Sequence, residues 1–162
     1  MRRTRLDDSS CPIARCVSQV GDWWSILILR NASMGQTRFD DFQRGIGIAP
    51  NILTRRLRTL VEAGLLERIR YQDHPPRHEY RLTGKGRDFL SVLIAMADWG
   101  NRWLMPAGAF RIRSTETGEL VEPVLIDRNT GRPITAEGIK VELAPAAPDR
   151  APGPETGPGR ED

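Results

Sequence analysis

The chain has 162 residues, an ordinary apolar share of 39% and a formal net charge of +3, enough for one domain with an appendage. No apolar run reaches the length of a membrane span, the start MRRTRLDDSS lacks a signal-peptide core, and two cysteines do not make a disulfide scaffold; a soluble cytoplasmic protein without a membrane partner is expected. Charge is uneven: residues 1–105 carry 17 Lys/Arg against 11 Asp/Glu, a balance of +6, and residues 106–162 carry 7 against 10, a balance of −3, so only the first part suits a polyanion.

Residues 1–10 are charged and expected to be flexible. Pro12 opens a first helix in which Ile13, Val17 and Val20 form a short apolar stripe, and Gly21 ends it. Asp22 is placed to cap the next helix, WWSILILRNAS, with Trp23, Ile26, Leu27 and Leu29 expected inside. MGQT reads as a turn, and Thr37 as the cap of a short helix, RFDDFQRG, with Phe39 and Phe42 facing inward. Gly45 and Gly47 then break the chain, giving a linker longer than the tightest helix-turn-helix turns.

Pro50 suits the first turn of a fourth helix, where its missing N–H costs nothing. Leu53, Leu57, Leu60 and Val61 recur at helical spacing and define its buried stripe. Gly64 stops it as a left-handed cap. Asn51, Arg55, Arg58 and Thr59 hold the opposite face, with Thr54 and Arg56 on the flanks and no carboxylate before Glu62. Leu65 to Tyr71 reads as a strand and Glu79 to Leu82 as its return. Between them QDHPPRH is a loop whose prolines cannot extend a ladder. A cationic helix followed by a hairpin with a basic tip is the reading head of a winged helix-turn-helix. The fold class expected is therefore mainly α with a small β-wing.

Thr83 caps a last long helix, GKGRDFLSVLIAMADWGNRWLM. Phe89, Leu93, Met96, Gly100, Trp103 and Leu104 make one stripe, and Leu90, Ile94, Val92 and Trp99 widen it. That is more apolar surface than one small domain covers, so a second subunit is expected against it. After Pro106 the segment TGELVEPVLI is followed by the weakly similar TGRPITAEGIKV, with Thr117-Gly118 and Thr130-Gly131 reading as hairpin turns. The tail is rich in Pro, Gly, Ala and charge. The organisation expected is a flexible start over 1–10, a winged-helix domain over 11–105, a small β-hairpin appendage over 106–145 and a disordered tail over 146–162.

The run from CPI at residues 11–13 through GDWW and LILR, RFDDF, the P-x-x-LT-x-RL-x-x-L-x-x-AGLLER segment and PPRHEYRLT-x-x-G resembles the HxlR family of bacterial transcriptional regulators, relatives of the MarR type. The resemblance covers about residues 11–104. It implies dimeric DNA-binding repressors or activators, with the first and last helices in the dimer contact and, in several members, a reactive cysteine at the position of Cys11. Longer members carry an extension, sometimes with paired cysteines that suggest a zinc ribbon. This extension has no cysteine, so no such metal is expected.

The candidate DNA-binding residues are Pro50, Asn51, Thr54, Arg55, Arg56 and Arg58 on the fourth helix and Arg70, Arg77 and His78 in the wing. Asn reads adenine and Arg reads guanine in the major groove, and a wing Arg exploits the negative potential of a narrow minor groove. Arg56 lies nearer the core edge, where a phosphate contact and a structural brace are equally open. Nearly all cations are Arg, the lysines being Lys85 and Lys140; Arg suits bidentate contacts, although GC-rich codon usage gives the same bias. Cys11 precedes Pro12 at a helix N-terminus, where partial positive charge favours the thiolate, and Arg15 lies one turn on. A half-buried inert thiol is the plainer reading of Cys11. Five helical residues separate it from Cys16, roughly 8 Å by helix rise, beyond disulfide reach. His74 and His78 flank two prolines, a poor frame for zinc, and no phosphate loop, nucleophile elbow or carboxylate pair marks an enzyme. The function expected is a dimeric, sequence-specific regulator of an inverted-repeat operator, a repressor responsive to oxidants or electrophiles through Cys11 or to a small-molecule inducer, with no cofactor. The competing reading is a winged-helix module that binds a protein instead of DNA.

Overall fold

The computed structural model describes residues 9–105 and 110–142. The flexible start expected over 1–10 and the disordered tail over 146–162 fall wholly or almost wholly outside them. Four helices come first: α1 Pro12–Val20, α2 Trp23–Ser33, α3 Phe39–Ile46 and α4 Pro50–Glu62. An antiparallel pair follows, β1 Leu66–Gln72 and β2 Arg77–Leu82, and then α5 Gly84–Asp88 and α6 Leu90–Trp103.

The core sits where α2, α3 and α4 meet the base of the hairpin. Ile28, Leu29, Phe42, Leu53, Leu57 and Leu60 are all fully buried there, and Ile48, Leu65 and Leu66 nearly so. Leu53, Leu57 and Leu60 fall on one side of α4 as their spacing requires. Asp22 caps α2 by accepting from the Trp24 and Ser25 amides, and its second oxygen accepts from the Ser25 hydroxyl at 2.8 Å. Gly64 follows α4 at φ 68°. The Leu65 amide there donates to the Leu60 carbonyl and the Gly64 amide to that of Val61, which satisfies two orphan carbonyls. The helix thus turns straight into β1.

Five expectations are corrected. Trp23 is not inside: it is 63% exposed and stacks on Trp24 at 3.6 Å. The buried stripe of α2 is Ser25, Ile28, Leu29 and Ala32. With apolar residues all round that helix, periodicity alone does not choose the phase. Thr37 does not cap α3; Arg38 holds the cap position with no side-chain bond. Thr37 accepts at its carbonyl from the Tyr80 amide, 2.7 Å, and Arg38 bridges Glu79, so this stretch is drawn alongside β2. Gly45 does not break the chain. It lies within α3, packed so close to Asn31 and Gln36 that a Cβ would crowd their amides. Only Gly47, at φ 72°, ends the helix, so the linker to α4 is just Gly47, Ile48 and Ala49.

The last helix is not continuous. Thr83 does cap it, accepting from the Gly86 amide, but a turn at Phe89 separates α5 from α6. Gly86 lies so close under the Leu65 carbonyl that a Cβ would collide with it. Here α5 is pinned to the sheet, while α6 leaves the core with no fully buried residue.

The appendage, finally, has turns but no strands among its described residues. Its pairing is reduced to single bridges, Arg113 with Leu120 and Ile126 with Pro133, and one 3₁₀ turn, Ala136–Gly138. Pro133 sits at a bridge and has no N–H to extend it.

Candidate nucleic-acid interface

The outer face of α4 is cationic, and the helix packs against β1 of the wing. Pro50, Asn51, Thr54, Arg55 and Arg58 are all exposed on it. Thr54 donates its hydroxyl to the Pro50 carbonyl at 2.9 Å, and Asn51 accepts from the Ile52 amide. These contacts hold the short side chains close to the backbone and leave the face low between the arginines. Among the described residues Arg55 has no side-chain partner. Arg58 approaches Glu62 only at 3.7 Å with both groups exposed, a pair worth little and easily exchanged.

Arg56 turns the other way. Its guanidinium meets Asp22 at 3.0 Å with both side chains mostly buried. One carboxylate therefore caps α2 and ties it to the middle of α4. Its place among the DNA-contacting candidates is withdrawn in favour of the brace.

The wing pairs Leu66 with Leu82 at its base and Gln72 with Arg77 at its tip, with a bulge between Arg70 and Gln72. The strands thus run further into the loop than the prolines suggested. Arg70 folds over the bulge, meeting the Asp73 carboxylate at 3.1 Å and donating to the Asp73 carbonyl at 3.0 Å; it fastens the tip. Arg77 is exposed and, among the described residues, its guanidinium has no partner. His78 Nδ1 lies 3.0 Å from the Arg68 guanidinium, which must donate to it. Partial withdrawal from water, then the positive charges of Arg68 and Arg70, lower the His78 pKa below its ordinary 6.5. These neighbours oppose a positive charge on His78. Sequence reasoning missed Arg38, whose guanidinium lies 5.1 Å from the Tyr71 ring centre beside the bulge of the wing; the pairing of residues 38 and 79 that brings it there has no local signal.

Cys11 is the N-cap residue of α1 and half-buried, its amide donating to Ser9 Oγ at 3.1 Å. Arg15 does not turn to the thiol: its Nε donates to the Ser9 carbonyl at 2.7 Å. Both cysteines are free. No helix among the described residues is long and apolar enough to cross a membrane.

A three-helix core, a short linker into an exposed cationic helix and a two-stranded wing define a winged helix-turn-helix DNA-binding protein. The HxlR-like helix-turn-helix family model matches residues 19–108, and the chain belongs to that family of transcriptional regulators. It is 40% identical over 135 residues to an uncharacterised HTH-type transcriptional regulator of Mycobacterium tuberculosis, Rv3095, covering 82% of this chain and 85% of that one. Among solved structures, PA1607, named as a candidate transcription factor, is 36% identical with a TM-score of 0.76, over 87% of this chain and all of that one. The redox regulator HypR, in its reduced form, is 30% identical with a TM-score of 0.55, over 60% of this chain and 99% of its own.

Proposed function

We propose that this chain works as a homodimeric, sequence-specific repressor on an inverted-repeat operator. The observation that carries the reading is the exposed face of Asn51, Thr54, Arg55 and Arg58 beside an unpartnered Arg77. In this arrangement α4 lies in the major groove with Arg55 and Arg58 on base edges or phosphates, and Arg77 reaches the flanking minor groove. Two copies joined through α1 and α6 present two such helices, and half-sites then fall about one DNA turn, roughly 34–36 Å, apart. Support for the dimer is the uncovered apolar surface on these helices: Ile13 is 72% exposed and Trp103 67%, with Val17, Leu90, Met96 and Trp99 also open. Repression follows if the dimer covers its own promoter.

Cys11 is the proposed oxidant-responsive group. Its place at the first turn of α1 puts it next to the dimer contact, and HypR, a family likeness of 30% identity, is a redox regulator. A bond between subunits or capping by a small thiol there would shift α1 and hence the spacing of the two reading helices.

The test is a footprint on the DNA flanking its own gene, repeated across salt concentrations. A protected inverted repeat whose affinity falls steeply with salt is expected, because phosphate contacts release counterions; no protected site would instead favour the protein-binding alternative. The same assay with and without diamide, on the parent and Cys11→Ser, addresses the switch. Loss of binding in the parent alone is expected, and an equal response in both removes Cys11 as the sensor.

A further inference from the structure

The segment 110–142 contains the same turn twice, thirteen residues apart. In the first copy the Ser114 amide donates to the Glu119 carbonyl, Gly118 to Ser114 and Val121 to Ile112. In the second, Asp127 donates to Arg132, Gly131 to Asp127 and Ile134 to Leu125. The side-chain bonds repeat as well. Ser114 Oγ and Asp127 Oδ1 accept from the amides two residues on, and Thr117 and Thr130 hydroxyls from the amides two residues beyond them. Gly118 and Gly131 take φ of 73° and 68°. The weak sequence repeat is therefore a tandem structural unit.

This unit has specific polar geometry and no interior. No residue in 110–142 is buried, while Leu125 is 64% exposed, Val141 83%, and Leu120, Val124, Ile126 and Ile139 are also open. An ordered segment must offset its conformational entropy by burying surface, and among the described residues these side chains have nothing to bury against.

We propose that residues 110–142 form an arm that packs its apolar side chains on a second copy of this chain, extending the contact of α1 and α6. The inference rests on the dimer reading above and deepens it. Continuity is the first argument. The exposed stripe of Trp99, Trp103, Leu104 and Met105 runs to the end of α6, and Asn101 Nδ2 donates to the Phe110 carbonyl at 2.6 Å, which ties the arm's first described residue to that same helix. Charge is the second. Residues 110–142 carry 5 Lys/Arg against 6 Asp/Glu, a balance of −1, where residues 1–105 carry +6; the arm lacks the cationic excess that DNA would attract and is not repelled by the basic body of a second copy. The third is distribution: the likeness to PA1607 extends over 87% of this chain, more than the body alone supplies, whereas HypR is matched almost whole without an arm. The arm is thus an addition to a body that stands without it.

The test uses the full chain and the double variant Val124→Ser, Leu125→Ser, whose side chains are exposed and leave the body's core untouched. Sedimentation over a concentration series gives the dimer dissociation constant. The parent is expected to be dimeric at micromolar concentration, and the variant's constant to rise tenfold or more with an unchanged far-ultraviolet spectrum. A dimeric parent whose constant the variant alters less than twofold overturns the arm and leaves the α1–α6 dimer standing. A monomeric parent overturns both. Photo-crosslinking from position 125 in a mixture of light and heavy isotope-labelled chains is the second readout. Light–heavy adducts support the arm; adducts within one chain only, or to a different protein, overturn it.

Discussion

Helices α4 and α6 are almost equal in length, 13 and 14 residues, and opposite in what they leave outside. One covers three leucines completely and shows water an arginine-rich face; the other covers none completely and shows water Trp99 and Trp103. A polar face left open costs nothing in solution and recognises charge. An apolar face left open is a debt in free energy that a protein partner settles. On the function proposed above, the two helices divide the recognition of DNA from the recognition of a second subunit.

The largest test of this contrast is in the core. Leu57→Ala should cost about 2–5 kcal/mol of unfolding free energy, read by denaturant titration, whereas Trp103→Ala should leave the dilute subunit's unfolding nearly unchanged. Equal losses would mean that α6 is covered within its own chain. Next, Arg55→Ala and Arg58→Ala should each weaken operator binding by about 1–3 kcal/mol while leaving unfolding within about 0.5 kcal/mol of the parent. If both bind like the parent, the reading face lies elsewhere. Arg56→Ala should reverse that pattern. Removing the Asp22 partner should destabilise the fold by about 1–3 kcal/mol, with a smaller effect on DNA affinity than Arg55→Ala in the same titration. A smaller effect still is expected of Arg77→Ala, which should lower the slope of log affinity against log salt by about one; an unchanged slope removes the wing's phosphate contact.

The smallest effect lies in the arm's second turn. Bonds from the Thr130 hydroxyl, then the Asn129 amide, lower the Asp127 pKa below its ordinary 3.8. The ionised carboxylate thus stabilises the folded turn above that ordinary value, and the contribution is lost as pH falls through the lowered folded value. Amide shifts of Asn129 and Gly131 should move in that window, and Asp127→Asn should abolish the movement.

What was legible followed local rules. Asp22, Pro50, Thr83 and Gly64 marked helix ends correctly because capping acts within a few residues. Leu53, Leu57 and Leu60 were placed by period because α4 is polar elsewhere. In α2 the same rule failed: apolar residues surround the helix, and only tertiary packing left Trp23 outside. Arg56 stayed open between a phosphate contact and a brace because a sequence does not show Asp22 beneath it. Thr37 was misread for the same reason, its partner being the Tyr80 backbone. The turns of the appendage were found from Thr-Gly; its lack of strands was not, because apolar β-branched runs signal pairing whether or not a partner strand exists.

The bond from the Tyr80 amide to the Thr37 carbonyl has a consequence for how the molecule is born. It joins the approach to α3 with the returning strand of the wing, on either side of the whole reading helix. A contact this distant in sequence closes a long loop and forms late, after the helices and the β1–β2 turn have organised locally. On the ribosome, α2 to α4 emerge before Tyr80 does. The reading helix thus gains its final clamp only when the wing has left the exit tunnel, and a chain stopped short of β2 carries the arginines without the frame that aims them.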